Sequence, residues 1–162
     1  TYMKMINSAE REIIIQTPYY VPDDALHESL KLALLSGVEV RLMLPNKPDH
    51  PLVYWATYYY AADLLKMGAK VYTYEKGFVH SKTLIIDGEY ASVGSANFDN
   101  RSLQLCFEGN MVLYDYDISQ KLREDFKKDL EVSKRLTMEI YEERSTSIRF
   151  KEGLARLISP ML

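Results

Sequence analysis

A single cysteine, Cys106, leaves this chain of 162 residues without an internal disulfide or a cysteine metal cluster. Set in the largely apolar stretch Leu103 to Leu113, it reads as a small core residue. Metal-binding patterns are also missing. The three histidines, His27, His50 and His80, lie far apart, and no His-Glu-x-x-His or multi-carboxylate motif occurs, so neither metal nor cofactor is expected. No apolar run is long enough to span a bilayer, and the chain has no signal peptide and no initiator methionine. We therefore expect a piece of a longer protein that is soluble or peripheral by itself. An excess of positive charge is lacking too: 20 Lys and Arg stand against 23 Asp and Glu, for a net charge of -3. A general nucleic-acid binder needs a basic surface to neutralise phosphates, so that class is not expected, although a local basic pocket remains open. Internal repeats and low-complexity segments are absent.

What is present suits one domain over residues 1–162, with 47% hydrophobic and 27% charged residues and enough length to bury a sizeable core. The 13 tyrosines stand out, because an apolar body with a polar tip suits half-buried positions, interfaces and lipid headgroup regions. A short amphipathic helix over Thr1 to Arg11 leads to the branched apolar run Glu12 to Thr17, a strand covered on both faces. Pro18 and Pro22 hold Thr17 to Pro22 extended, as the rim of a site or as a plain connector. Asp23 caps a helix that runs to Ser36 and stops at Gly37; His27 falls off its apolar stripe and is expected to face solvent. After a strand over Val38 to Leu44, the loop Pro45 to Pro51 places Asp49 and His50 either against a substrate headgroup or at the cap of the next helix. That helix, Leu52 to Met67, carries more aromatic surface (Tyr54, Trp55, Tyr58, Tyr59) than one core stripe needs, which implies a second buried contact or an interface with a partner or lipid. A strand over Ala69 to Tyr74, a last strand over Ser102 to Tyr114, a charged helix to about Leu136 with Ile118, Leu122, Phe126 and Leu130 inward, and an amphipathic segment Ile148 to Leu162 complete an α/β sandwich, a mixed sheet flanked by helices.

The chain is organised around Gly77 to Asp87. Along a strand side chains alternate faces, so His80 and Lys82 point one way with Leu84 and Ile86 behind them, while Ser81, Thr83 and Ile85 point the other way. An imidazole beside a fixed positive charge suits an anionic substrate such as a phosphodiester. Alone, this pair also describes a solvated strand end. After the turn at Gly88, however, Tyr90 to Asn97 supplies a second strand that breaks into Gly94-Ser95-Ala96-Asn97.

His80-x-Lys82 with Asp87, followed by Gly94-Ser95-x-Asn97, resembles the signature of the phospholipase D superfamily. The blocks Thr17 to Asp23, Pro45 to His50, Gly77 to Lys82, Asn97 to Ser102 and Ser159 to Leu162 together look like the C-terminal half of bacterial cardiolipin synthases. The resemblance implies a phospholipase D-like mixed β-sheet flanked by α-helices. It further implies an intact enzyme with two such halves behind membrane helices, located in the bacterial cell membrane, whose two histidines face each other across one active site. This chain has one motif and would need the N-terminal half or a symmetric homodimer partner.

The chemistry so implied is double displacement at phosphorus, condensing two phosphatidylglycerol molecules to cardiolipin and glycerol through a phosphatidyl-histidine. His80 would act as nucleophile or as general acid and base; the family pattern suggests the latter. Lys82 would neutralise the phosphoryl oxygens, with Ser95 and Asn97 donating further hydrogen bonds. Glu108 stands where the resemblance implies a carboxylate that fixes the histidine tautomer. Asp87 has the opposite strand parity and is expected to hold the turn and its backbone. Two alternatives compete with the transferase: a phosphodiesterase or nuclease of the same superfamily, and a non-catalytic lipid-binding half.

Overall fold

The computed structural model describes residues 1–47 and 49–159. Pro48 in the Pro45 to His50 block, and Pro160, Met161 and Leu162 in the last block, lie outside the described residues. The strands are β1 (Glu12–Gln16), β2 (Tyr20–Val21), β3 (Glu39–Pro45), β4 (Lys70–Tyr74), β5 (Thr83–Ile86), β6 (Tyr90–Gly94), β7 (Phe98–Asp99), β8 (Asn110–Leu113) and β9 (Ser133–Leu136). The helices are α1 (Tyr2–Asn7), α2 (Asp24–Leu35), α3 (Pro51–Lys66), α4 (Asn100–Gln104), α5 (Tyr116–Glu131), α6 (Met138–Glu142) and α7 (Thr146–Ile158).

The described residues form a seven-stranded mixed sheet in the order β8-β6-β5-β1-β3-β4-β9, and β2 pairs separately with β7. β1, β3 and β4 run parallel, and the remaining neighbours in the large sheet are antiparallel. Burial on both faces explains the branched runs. Ile13, Ile15, Leu42, Leu44, Leu84 and Ile86 join the core with α1, α2 and α3, whereas Ile14, Met43 and Ile85 meet Phe126 of α5 on the opposite face. Fully burying such side chains contributes ~1.5–3 kcal/mol each.

Local signals set most boundaries. The Asp23 carboxylate accepts from the Leu26 amide at 2.8 Å, and α2 ends at Gly37 with φ 89°. Four expectations need correction. The stretch Ser102 to Tyr114 is not one strand: Asp99 caps α4 by accepting from Ser102, and only Asn110–Leu113 pairs with β6. The charged helix stops at Glu131, and Ser133–Leu136 turns back as β9 against β4. Ile118 is exposed, while Leu122, Phe126 and Leu130 form the apolar side of α5. Finally, α3 starts at Pro51 after His50 without a side-chain cap, because the Asp49 carboxylate accepts from the His50 amide and the Tyr19 hydroxyl instead.

The aromatic surplus of α3 is divided. Tyr58 turns into the main core, and α7 packs along α3 so that Ala155 meets Ala56 and Val21. Trp55 and Tyr59 lie beneath Lys151 and Arg156 of α7.

Candidate active site

The candidate residues other than Asp87 gather at the edge of the sheet where the parallel strands end. β1 ends at Gln16 opposite Thr83, the first residue of β5, so the lead-in Phe78 to Lys82 emerges beside the loop that follows β1. β6 returns to the same edge, where the Gly94 amide donates to the Lys82 carbonyl at 3.3 Å. Gly94 also lies against the strand-to-strand crossing with Gly109 and Asn110, and a Cβ there would collide with the Asn110 side chain and the Gly109 carbonyl. The Gly-Ser turn therefore has to begin with glycine.

His80 and Lys82 precede the strand proper, and their environments differ. His80 is exposed, its ring tilted against Phe78 at 5.9 Å between centroids; among the described residues its imidazole has no hydrogen-bond partner. Lys82 is only 7% exposed, and its ammonium donates to the main-chain carbonyl of His80 at 2.8 Å. Desolvation lowers the Lys82 pKa below that of a free lysine, outweighing the nearby Glu108 and Asp99 charges that raise it.

Ser95 donates its hydroxyl to the Glu108 carboxylate and accepts from the Gly109 amide at 3.1 Å. The hydrogen-bonding partner of Glu108 in this chain is thus Ser95. The Asn97 amide nitrogen donates to Ser102 at 3.3 Å, while its buried carbonyl oxygen has no partner among the described residues. Asp87 sits apart at the far end of β5, with φ 54°, where its carboxylate accepts the main-chain amides of Glu10, Arg11 and Glu12 at 2.9, 2.8 and 2.7 Å.

Of the candidate residues, Asn97 and Glu108 line a cavity of about 490 Å³, together with Tyr19, His50, Leu52, Asp99, Arg101 and Cys106, whereas His80, Lys82 and Ser95 are not among the residues on its walls. The Thr17 to Pro22 loop rims it: Thr17 accepts from the Phe98 amide at 3.3 Å, and Tyr20–Val21 pairs with Phe98–Asp99. Cys106 is exposed rather than part of the core, because the 105–109 loop stands off the sheet. Reading by residue type missed Arg101 and Asp99, which bring a guanidinium to the cavity wall and a carboxylate near Lys82. The signal for both is the Asn97 to Ser102 block, which contains them. His27, expected at the surface, is buried. Its ring bonds the Tyr20 hydroxyl at 3.0 Å and the Asp63 carboxylate at 3.1 Å, because α3 covers that face of α2. No group of three or more His, Cys, Asp or Glu residues is arranged to hold a metal among the described residues.

Comparisons with known proteins bear on the family and the fold. The family model described as "Cardiolipin synthase, PLD-like domain" matches residues 2–130. The chain is 58% identical over 161 residues to "Cardiolipin synthase 1" of Staphylococcus epidermidis and 54% identical to "Major cardiolipin synthase ClsA" of Bacillus subtilis, in each case over 99% of this chain and 33% of the relative. It thus spans about a third of the length of these curated relatives. Among solved structures, the phospholipase D family member Nuc from Salmonella typhimurium shares the fold with a TM-score of 0.73 at 18% identity, covering 84% of this chain and 88% of that one. A phosphatidylserine synthase from Haemophilus influenzae aligns with a TM-score of 0.73 at 16% identity, over 99% of this chain and 44% of that one. With a family model matching residues 2–130, most of its length, this chain belongs to the cardiolipin synthase, PLD-like domain family.

Proposed function

We propose that this chain is the second, C-terminal half of a two-motif phosphatidyltransferase of cardiolipin synthase type, and that it supplies one His-Lys half-site. The observation that carries this reading is an exposed imidazole at His80, without a hydrogen-bond partner among the described residues, backed by the buried ammonium of Lys82 at the mouth of the sheet. The names of the curated relatives supply the reaction class.

In the first displacement a ring nitrogen of the partner histidine attacks the phosphorus of phosphatidylglycerol. The bond from phosphorus to the glycerol oxygen breaks, and the protonated imidazole of His80 gives that oxygen its proton. In the second, a headgroup hydroxyl of another phosphatidylglycerol passes its proton to His80 and attacks the phosphatidyl-histidine. The phosphorus–nitrogen bond breaks and cardiolipin leaves. Two phosphatidylglycerols thus become cardiolipin and glycerol, with both histidines restored. Lys82 offsets charge that builds on the phosphoryl oxygens, and the amide of Asn97 donates to them; the Ser95 hydroxyl joins them only when the Glu108 carboxylate turns from it to the ring of His80. Glu108, held by Ser95 in this chain, is assigned to orienting the ring of His80 once the site is assembled.

Completion by a second half, either the N-terminal part of the same chain or a symmetric copy, is supported by the surface beside the site. Phe107 is fully exposed between Cys106 and Glu108 on the cavity wall, Leu105 is exposed in the same loop, and Met111 is exposed on the edge strand β8. No helix among the described residues is long and apolar enough to cross a membrane, so attachment of the intact protein to the cell membrane would fall to segments elsewhere or to a surface contact.

The test supplies the full-length protein with phosphatidylglycerol vesicles and quantifies cardiolipin and glycerol by mass spectrometry, comparing the parent with His80→Ala. Loss of both products in the variant is expected. Undiminished cardiolipin from the variant, or cleavage of DNA without lipid transfer by the parent, would overturn the reading.

A further inference from the structure

Helix α7 is built with its chemistry reversed. Its inward side consists of Glu152, 1% exposed, and Ala155, fully buried, whereas Phe150, Leu154 and Leu157 are 74%, 53% and 75% exposed. Residues spaced by four and three lie on one face of a helix, so these three make a continuous apolar stripe turned away from the protein. Ordinary surface helices place that stripe against the core.

The inward glutamate is fully engaged. It accepts the Tyr141 hydroxyl at 2.7 Å and pairs with Arg144, whose guanidinium lies 4.6 Å from the centre of the Tyr58 ring. A polar clasp and Ala155 thus hold α7 on α3, and the large apolar side chains are left without a partner among the described residues.

The flanks of the stripe are basic. At helical spacing Arg149 and Arg156 fall on one side and Lys151 on the other, all exposed, and Glu152 is the only acid in the helix. Lys151 and Arg156 lie over the rings of Trp55 and Tyr59 at 5.1 Å each, which adds half-buried aromatic surface beside the stripe. Preceding α6 carries the exposed acids Glu139 and Glu142, so the basic face begins with α7. An apolar stripe between cations, bordered by Trp and Tyr, is the composition of a helix lying in a lipid interface. Pairing two copies through the stripe would bring like charges together on both flanks, which disfavours a second copy of this chain as its occupant.

We propose that α7 docks this domain on an anionic phospholipid bilayer, with Phe150, Leu154 and Leu157 entering the acyl boundary and Arg149, Lys151 and Arg156 meeting the headgroup phosphates. The inference rests on the proposed function for its choice of an anionic lipid and deepens it by naming the surface that meets the membrane. Ala155 packs among Val21, Ala56, Leu52 and Val53, and the last two also line the cavity beside the candidate site. Docking through α7 therefore brings that cavity close to the headgroup layer.

The test measures cosedimentation of this 162-residue chain with vesicles of phosphatidylglycerol and of phosphatidylcholine. Binding to the anionic vesicles, weakened by salt, is expected, with about a hundredfold loss when Arg149, Lys151 and Arg156 are all changed to Gln. Retained binding by the variant Arg149→Lys with Arg156→Lys is expected as well. A Phe150→Trp variant should show an emission component absent from the parent, blue-shifted on binding and quenched by brominated acyl chains. Circular dichroism verifies that each variant folds. Equal binding to phosphatidylcholine, no binding, or self-association that consumes the stripe in place of lipid would overturn the proposal. His80→Ala should bind vesicles like the parent. Binding without transfer by the full-length parent would sink the catalytic reading and leave docking standing, and transfer without α7-dependent binding would do the reverse.

Discussion

The ammonium of Lys82 donates to the main-chain carbonyl of His80 at 2.8 Å, so a buried cation fixes the backbone that presents an exposed imidazole. The two motif residues are thus coupled through the chain and not through their side-chain tips. This predicts that Lys82→Met lowers turnover of the full-length enzyme on the order of 10²- to 10³-fold, the usual cost of removing one stabilising donor at a reacting phosphoryl group. The pH profile adds a sharper check. Burial makes Lys82 lose its proton at lower pH than a free lysine, so the alkaline fall in kcat/KM begins early. Lys82→Arg retains the charge and should move that fall to higher pH. An unchanged alkaline limb would mean that Lys82 is not the group titrating there.

Asp87 does different work at the opposite end of the same strand. Its carboxylate gathers three consecutive main-chain amides, from Glu10, Arg11 and Glu12, and fastens the start of β1 to the β5–β6 turn. Removing it leaves three donors without their charged acceptor. Asp87→Ala should destabilise the domain by about 2–4 kcal/mol in denaturant titrations, since each hydrogen bond to a charged group contributes ~1.5–3 kcal/mol and exposed amides recover water. Asp87→Asn, which retains one acceptor oxygen, should recover part of that loss. Its effect on turnover should follow the fraction of folded protein.

Alternation along Ile13 to Ile15 and Leu84 to Ile86 was legible because a strand buried on both faces needs branched residues at every position, and the structure sorts them into two cores by parity. The caps at Asp23 and the stop at Gly37 were legible for equally local reasons. Positions that depend on distant partners were not. His27 falls off the stripe of its own helix, yet α3 and β2 bring Asp63 and Tyr20 to it from 36 and 7 residues away. Cys106 sits in an apolar stretch, but that stretch belongs to a loop beside the site and not to a strand. The outward stripe of α7 was legible as amphipathic and illegible in direction, because a helical pattern does not say which face is in.

Ser95 and Glu108 act as one unit across the sheet edge, with the Ser95 hydroxyl bonded to the carboxylate and the Gly109 amide returning to the hydroxyl at 3.1 Å. Side chains joined in this way do not contribute independently. Ser95→Ala and Glu108→Gln should each reduce turnover of the full-length enzyme. The double variant should fall short of the product of the two losses, with a coupling of about 0.5–3 kcal/mol in a double-mutant cycle. Strictly multiplicative losses would show that the bond between them has no part in the reaction.

The buried pair His27 and Asp63 should make folding sensitive to mild acid. Desolvation lowers the His27 pKa below its ordinary value of 6.5 and outweighs the neighbouring Asp63 carboxylate. The folded ring then stays neutral at a pH where the unfolded ring already takes a proton. The unfolded state therefore binds more protons as pH falls through about 6.5, and stability declines from there until the folded ring itself titrates. Above that window the contribution is complete and constant. Denaturant midpoints measured at pH 7.5 and 5.5 should fall on acidification, and His27→Gln should flatten the difference while lowering stability at pH 7.5 through imperfect bonding to Tyr20 and Asp63. A parent whose midpoint rises between pH 7.5 and 5.5 would mean that the charged ring is favoured in the fold, with Asp63 outweighing burial.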